Sequence, residues 1–222
     1  MAENVQGSLS RHVYLALKRD ILECKLPPNA DLREQVLAER FIVSKSPVRE
    51  ALLKLEHEHL IIVAPRQGYR VAPVSVEDTA ETFGLRKILE GACAEAAVAN
   101  GSPTQLRDLD EFRIFTPVPG EDPSDGFIRY NREFHAAICA IAGNSRLERM
   151  TMELVDQMER MIRMSVNSVP VGGRAVLLRE HCDMIDAIQS GDRRKAIALT
   201  RQHIGKAEKR VVTGLTYAAI HA

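Results

Sequence analysis

The 222-residue chain carries 30 basic and 30 acidic side chains, is 45% hydrophobic and 5% aromatic, and has no Trp. That balance argues against a purely electrostatic nucleic-acid binder and against an aromatic platform that stacks single strands. Enough apolar residues are present for a core in one large domain or two small ones. No apolar run reaches the length of a membrane span, and no signal-peptide segment opens the chain. The four cysteines (Cys24, Cys93, Cys139, Cys182) are scattered without a CxxC pair, as in a soluble protein of the reducing cytoplasm.

In chain order, Met1–Gly7 reads as a loose lead-in. Leu9, Val13, Leu17 and Ile21, with Tyr14 beside them, predict a helix over Ser8–Glu23. Leu26-Pro27-Pro28-Asn29 breaks it. A second helix is expected over Glu34–Phe41 with Val36, Leu37 and Phe41 inward. A short turn, Ile42-Val43-Ser44, leads into SKSPVREALLKLEHEHL. There Ser46 is the expected N-cap and Pro47 the first helical residue. Val48, Ala51, Leu52 and Leu55 make a stripe, and Lys45, Arg49 and Lys54 point elsewhere. Two short helices joined by so short a turn are the helix-turn-helix arrangement, whose second helix enters the major groove. Leu60–Val63 and Tyr69–Val71, joined by Pro65-Arg66-Gln67-Gly68, read as a hairpin with Arg66 near its tip.

After Ala72-Pro73-Val74-Ser75 the texture is helical throughout. The expected helices are Val76–Ala99 (capped by Ser75), Thr104–Phe115, Phe127–Ala142, Ser145–Asn167, Gly173–Gln189 and Asp192–Thr216, with a loop over Thr116–Asp125. The domains are therefore 1–72, a 73–75 linker and 76–222, and the fold class is mainly α: a winged helix-turn-helix followed by an all-α bundle. His135 follows Asn131 by one helical turn, so both share a face. His181 stands about 14 Å before the Ser190-Gly191 break and His203 about 18 Å after it, so the two reach similar depth on antiparallel helices. Three imidazoles and an amide oxygen in register suit an open metal site. Each histidine taken alone also fits a hydrogen-bonded helix residue. His12, His57, His59 and His221 lack the register and read as structural or surface groups.

Leu26-Pro27-Pro28, Leu32-Arg33-Glu34, Leu37-Ala38-Glu39-Arg40, Val43-Ser44-Lys45-Ser46-Pro47-Val48-Arg49-Glu50-Ala51-Leu52 and the wing Pro65–Val71 resemble the DNA-binding domain of GntR-family bacterial transcription regulators. The resemblance implies that Lys45 and Arg49 meet guanines or phosphates and that Ser44 and Ser46 meet phosphates. Arg33 and Gln35 lie near the DNA backbone, Arg66 at the wing tip, and Gly68 lets the wing approach. Ile42 and His59 stand where that family has Gly, and Lys45 where Arg is commoner. Leu85-Arg86 with Leu89-Glu90-Gly91, Phe134–Ile138, Ala142-Gly143-Asn144, Glu180-His181, Ile185–Ile188 and Ser190-Gly191-Asp192 resemble the FCD ligand-binding domain of the FadR subfamily. That implies a divalent metal (zinc, nickel or manganese) on His135, His181 and His203, with Asn131 in place of the usual Asp, and a small carboxylate effector. Arg86 either pairs with that carboxylate or forms an i, i+4 bridge to Glu90. The implied function is a repressor that binds an inverted repeat in double-stranded operator DNA as a homodimer, with no enzymatic activity and no membrane partner. A metal-dependent hydrolase built on the three histidines is the alternative.

Overall fold

The computed structural model describes residues 2–65, 68–166 and 173–221, and the chain folds as two compact units, Met1–Val74 and Ser75–Ala222. Unit one contains α1 (Ala2–Leu22), β1 (Asp31–Leu32), α2 (Glu34–Phe41), α3 (Lys45–His57), β2 (Ile61–Ala64) and β3 (Gly68–Val71). α1 begins at Ala2 rather than Ser8. Residues 2–6 hold no proline or glycine, and nothing in them opposes extending the helix. Val13, Leu17 and Ile21 are fully buried, whereas Leu9 is exposed.

Val48, Ala51, Leu52 and Leu55 project from α3 into the same core, all at 0% exposure. Each of the three larger side chains contributes roughly 1.5–3 kcal/mol by leaving water. In α2 the inward residues are Leu37 and Ala38, with Phe41 packed at the core margin. Val36 is 57% exposed, contrary to the periodicity reading: eight residues are too few to fix the phase of a stripe.

The N-cap of α3 is Ser44, not Ser46, and Pro47 is its third residue. A first-turn proline is tolerated there because its missing N–H would have no intrahelical partner. The turn before it is made by Ile42, which ends α2 in the left-handed region at φ 55° and ψ 47°, its N–H directed to the Ala38 and Glu39 carbonyls. His59 ends the next helix in the same way at φ 57°. β1, too short to show a period, was absent from the sequence reading. It pairs with β3 (Leu32 opposite Tyr69), which pairs with β2 (Val63 opposite Tyr69, Ala64 opposite Gly68), all antiparallel. Gly68 has φ +102°, and a Cβ there would lie 3.0 Å from the Leu32 carbonyl oxygen. Wing closure thus requires glycine at that point.

Unit two contains α4 (Val76–Asn100), α5 (Pro103–Asp108), a 3₁₀ turn (Leu109–Arg113), α6 (Pro123–Ile141), α7 (Ser145–Val166), α8 (Gly173–Gln189) and α9 (Arg193–His221). Ser75 Oγ caps α4 by accepting from Asp78 N at 2.9 Å. The helix expected over Thr104–Phe115 tightens to 3₁₀ after Asp108. α6 begins four residues earlier than expected. Asp122 Oδ1 accepts from the Ser124 and Asp125 amides, and Pro123 occupies the first helical position, so the proline that suggested a loop opens a helix. α4 packs against α6, α7 and α9, around a core that includes Cys93, Ala94, Ala97, Phe134, Ile138, Ile185 and Ala196. No helix among the described residues is long and apolar enough to cross a membrane.

Ile42 exposes 92% of its surface, so its side chain gains little from the fold while its backbone bears the left-handed cost of about 1–2 kcal/mol. Replacing Ile42 with Gly is expected to raise unfolding stability by about 0.5–1 kcal/mol in urea titration, after allowing for the added freedom of the unfolded chain. Gly68→Ala is expected to lower it by 1 kcal/mol or more, on the order set by positive-φ strain.

Candidate metal centre and nucleic-acid interface

α6, α8 and α9 each contribute one histidine to a common interior point. His135, His181 and His203 are 1%, 0% and 3% exposed. Their ring centroids are 5.8 Å (135–181), 5.4 Å (135–203) and 4.9 Å (181–203) apart. One nitrogen from each lies within 4.8 Å of the others. Phe134 stacks on His181 at 3.9 Å and fixes its ring plane.

Each imidazole meets a different group at its Nδ1. His203 Nδ1 donates to Glu180 Oε2 at 2.8 Å. Tyr130 Oη gives its single proton to the Phe112 carbonyl at 2.6 Å, so His181 Nδ1, 3.2 Å away, is the donor to the Tyr130 oxygen. His135 Nδ1 lies 2.6 Å from Glu90 Oε2, but off the line of the ring N–H, so the contact is electrostatic rather than a hydrogen bond. Nε2 of His135 and of His181 are buried without any hydrogen-bond partner among the described residues. Buried ring nitrogens left bare in this way are costly unless a ligand meets them. A divalent ion fits: three imidazoles at this spacing can close on it with small side-chain shifts, and carboxylate or hydroxyl partners behind metal-binding histidines commonly orient them.

Burial also sets the protonation state. Desolvation, reinforced by the other two histidines and by Arg210, holds His181 well below its ordinary range. Desolvation lowers His203 to about 4, although Glu180 opposes the shift. Both rings are neutral at pH 7, the form that ligates metal. Burial would raise the Glu90 carboxyl, but Arg86 and His135 beside it hold it well below the usual carboxylate range. Of the two roles open for Arg86, the ion pair is the one observed. Its Nε meets Glu90 Oε1, its Nη1 lies 3.5 Å from Met158 Sδ, and it is 2% exposed. Asn131 is half-buried, one turn before His135.

Glu90, Tyr130 and Glu180 were not singled out from sequence as partners of the histidines. A signal existed for Glu90. Phe83, Arg86, Glu90, Cys93 or Ala94, and Ala97 form one continuous buried stripe on α4, so Arg86 and Glu90 occupy core positions. Glu180 precedes His181 directly and so projects from a different face of α8. It reaches His203 on the neighbouring helix instead, a pairing that sequence spacing cannot show.

In unit one, Ser44, Lys45 and Ser46 are exposed side by side at the start of α3. Arg49, one turn on, forks onto Glu34 of α2, with Nε–Oε1 at 3.1 Å and Nη2–Oε2 at 2.8 Å. Gln35 donates to Glu39 Oε1 at 2.6 Å. Arg33 is the exposed N-cap residue of α2, and Gly68 is exposed at the start of β3, at the tip end of the wing. Arg66 lies outside the described residues.

Residues 9–71 match the family described as bacterial regulatory proteins, gntR family, and residues 81–206 match the FCD domain. Among curated proteins, the HTH-type transcriptional repressor RspR of Escherichia coli is 29% identical over 90% of this chain and 88% of its own length. The HTH-type transcriptional repressor GlaR of the same organism is 29% identical over 86% of this chain and 90% of its own. The solved structure of E. coli McbR/YncC superposes with a TM-score of 0.74 at 24% identity, covering 91% of this chain and 96% of that one, which shows a shared fold.

The neutral burial of His203 has a pH signature. The unfolded chain protonates this residue near pH 6.5, whereas the folded protein resists until about pH 4. Unfolding therefore takes up a proton between these values, and stability is complete above pH 6.5 and falls as the pH drops through the window. For metal-free protein the loss from this group is expected to be on the order of 3 kcal/mol across the window, read by urea denaturation at pH 7.5, 5.5 and 4.5. His203→Gln should flatten the dependence.

Proposed function

Since the chain belongs to the GntR family of bacterial regulatory proteins, in the FadR subfamily that joins this DNA-binding domain to an FCD domain, we propose that it is a metabolite-responsive repressor. It acts in the cytoplasm as a homodimer on an inverted-repeat operator. One recognition helix reaches only a few base pairs, and two-fold pairing doubles the contact. Arg49 and Lys45 read base edges or phosphates from α3, Ser44 and Ser46 anchor its first turn to the backbone, and Arg33, Gln35, Arg66 and Gly68 border the same surface. His135, His181 and His203, with Asn131, hold a divalent ion in the helical domain. Bound there, the ion supplies a Lewis-acidic position for one oxygen of a small carboxylate effector. Arg86 serves the effector through Glu90, the carboxylate it holds beside His135. Effector binding changes operator affinity by favouring one of two arrangements of the dimer.

The observation that carries this reading is the pair of bare, buried Nε2 atoms on His135 and His181, in a chain whose other domain is a DNA reader. The hydrolase alternative needs a carboxylate free to act as base near the metal-bound water. Glu90 and Glu180, the two carboxylates at the cluster, both face the Nδ1 side of a histidine and are engaged by cations. RspR and GlaR, both similar over most of their length, are named as repressors.

Elemental analysis of purified protein is expected to find about one divalent ion per chain, lost in His181→Ala. A count near zero after incubation with zinc, nickel and manganese would overturn the metal assignment. Arg49→Ala is expected to weaken specific operator binding by about 1–3 kcal/mol. Its melting temperature should hardly change, because the pair with Glu34 is exposed. Undiminished binding in a fluorescence-anisotropy titration would remove Arg49 from the interface.

A further inference from the structure

α9 places His203, Lys206 and Arg210 at i, i+3 and i+7, on one face of the helix. All three converge on Glu180. His203 Nδ1 is 2.8 Å from Oε2, Lys206 Nζ is 3.1 Å from Oε1, and Arg210 Nη2 is 3.8 Å from Oε2. The last distance is within ion-pair range but too long for a hydrogen bond. Arg210 Nη2 is buried and has no hydrogen-bond partner among the described residues. A buried guanidinium N–H left unmet is costly, and a ligand oxygen is the natural way to meet it.

Charge counting sets the class of ligand. Arg86 and Glu90 neutralise each other. A histidine that holds an ion does so in its uncharged form, so Glu180 faces two cations, Lys206 and Arg210, and one positive charge is left over. A divalent ion on the histidines would add two more, and Asn131 subtracts none. Of the small acids with one or two carboxylates, a diacid leaves the pocket closer to balance than a monocarboxylate.

We propose that Arg210, with Lys206 beside it, is the second anion-binding arm of the helical domain. It takes the distal carboxylate of a small diacid whose near carboxylate meets the three-histidine centre. Arg86, sealed against Glu90, does not fill this role. The inference rests on the reading of the helical domain as an effector site, and it adds the residue that selects the effector and the number of charges the effector carries.

The test uses metal-loaded full-length protein and three probes, acetate, succinate and malate, read by thermal shift and by calorimetric titration, with metal content measured for every variant. Wild type is expected to bind at least one diacid and to ignore acetate at the same concentration. Arg210→Gln is expected to raise the diacid Kd by about tenfold or more, the effect of losing a charge-assisted hydrogen bond, at unchanged metal content. Arg210→Lys, which keeps the charge but not the fork, should fall between. Equal diacid affinity in wild type and Arg210→Gln would overturn the role of Arg210 and leave the effector site standing. Acetate binding as tightly as the diacids, or loss of metal in both Arg210 variants, would also overturn it. No response of wild type to any probe would overturn the effector-site reading together with this one.

Discussion

An uncharged imidazole carries one proton, and whatever sits at one ring nitrogen decides whether the other can act as a ligand. The helical domain is arranged around that constraint. Glu180 and the Tyr130 oxygen hold protons on the Nδ1 of His203 and His181, which leaves Nε2 as the lone-pair side. Glu90 presses on the third ring from outside without a formed hydrogen bond. The rest of the domain serves those outer groups. Arg86 exists in the core because Glu90 does, and Lys206 and Arg210 gather at Glu180. Two buried carboxylates with no cations would be untenable in a core of Ala, Phe and Ile. With their partners they are stable, and they fix the orientation of the rings.

The DNA-reading domain answers a different constraint, the angle between two short helices. The apolar stripe of α3 is buried against α1 and the sheet, so its opposite face and first turn must lie outside. The left-handed residue at Ile42 turns the chain sharply enough for α3 to start after only three residues. The family pattern uses glycine at this turn, and the structure shows why: the turn is left-handed, a conformation glycine adopts without steric cost. The strain at Ile42 is therefore a property of this sequence and not of the fold.

Most helices were legible because their stripes run for several turns between proline and glycine stops, and α8 was read to the residue. Elements with too short a period or ambiguous punctuation were not legible. Two-residue β1 has no period. Val36 sits in a helix with barely two turns to set a phase. Pro123 marks both the end of a loop and the start of a helix. At the histidine centre, His181 and His203 could be matched in depth from helical register alone, since register along antiparallel helices is a one-dimensional calculation. The outer partners of the rings could not be found that way. Glu90, Tyr130 and Glu180 reach across helices at angles set by packing, and Glu180 serves the histidine that is distant from it in sequence rather than the adjacent one.

The fork between Arg49 and Glu34 has a kinetic consequence. For a protein that scans DNA with α3, an arginine already matched by a carboxylate brings little net charge to the phosphates that every stretch of the genome offers. Random sequence then holds the helix weakly, and the protein leaves it quickly. On the proposed reading, a guanine edge can take over both hydrogen bonds at once, because its two acceptors repeat the geometry of the carboxylate, and a phosphate can do so with two of its oxygens. Glu34 would then compete with the DNA for Arg49 wherever α3 lands, at some cost in affinity.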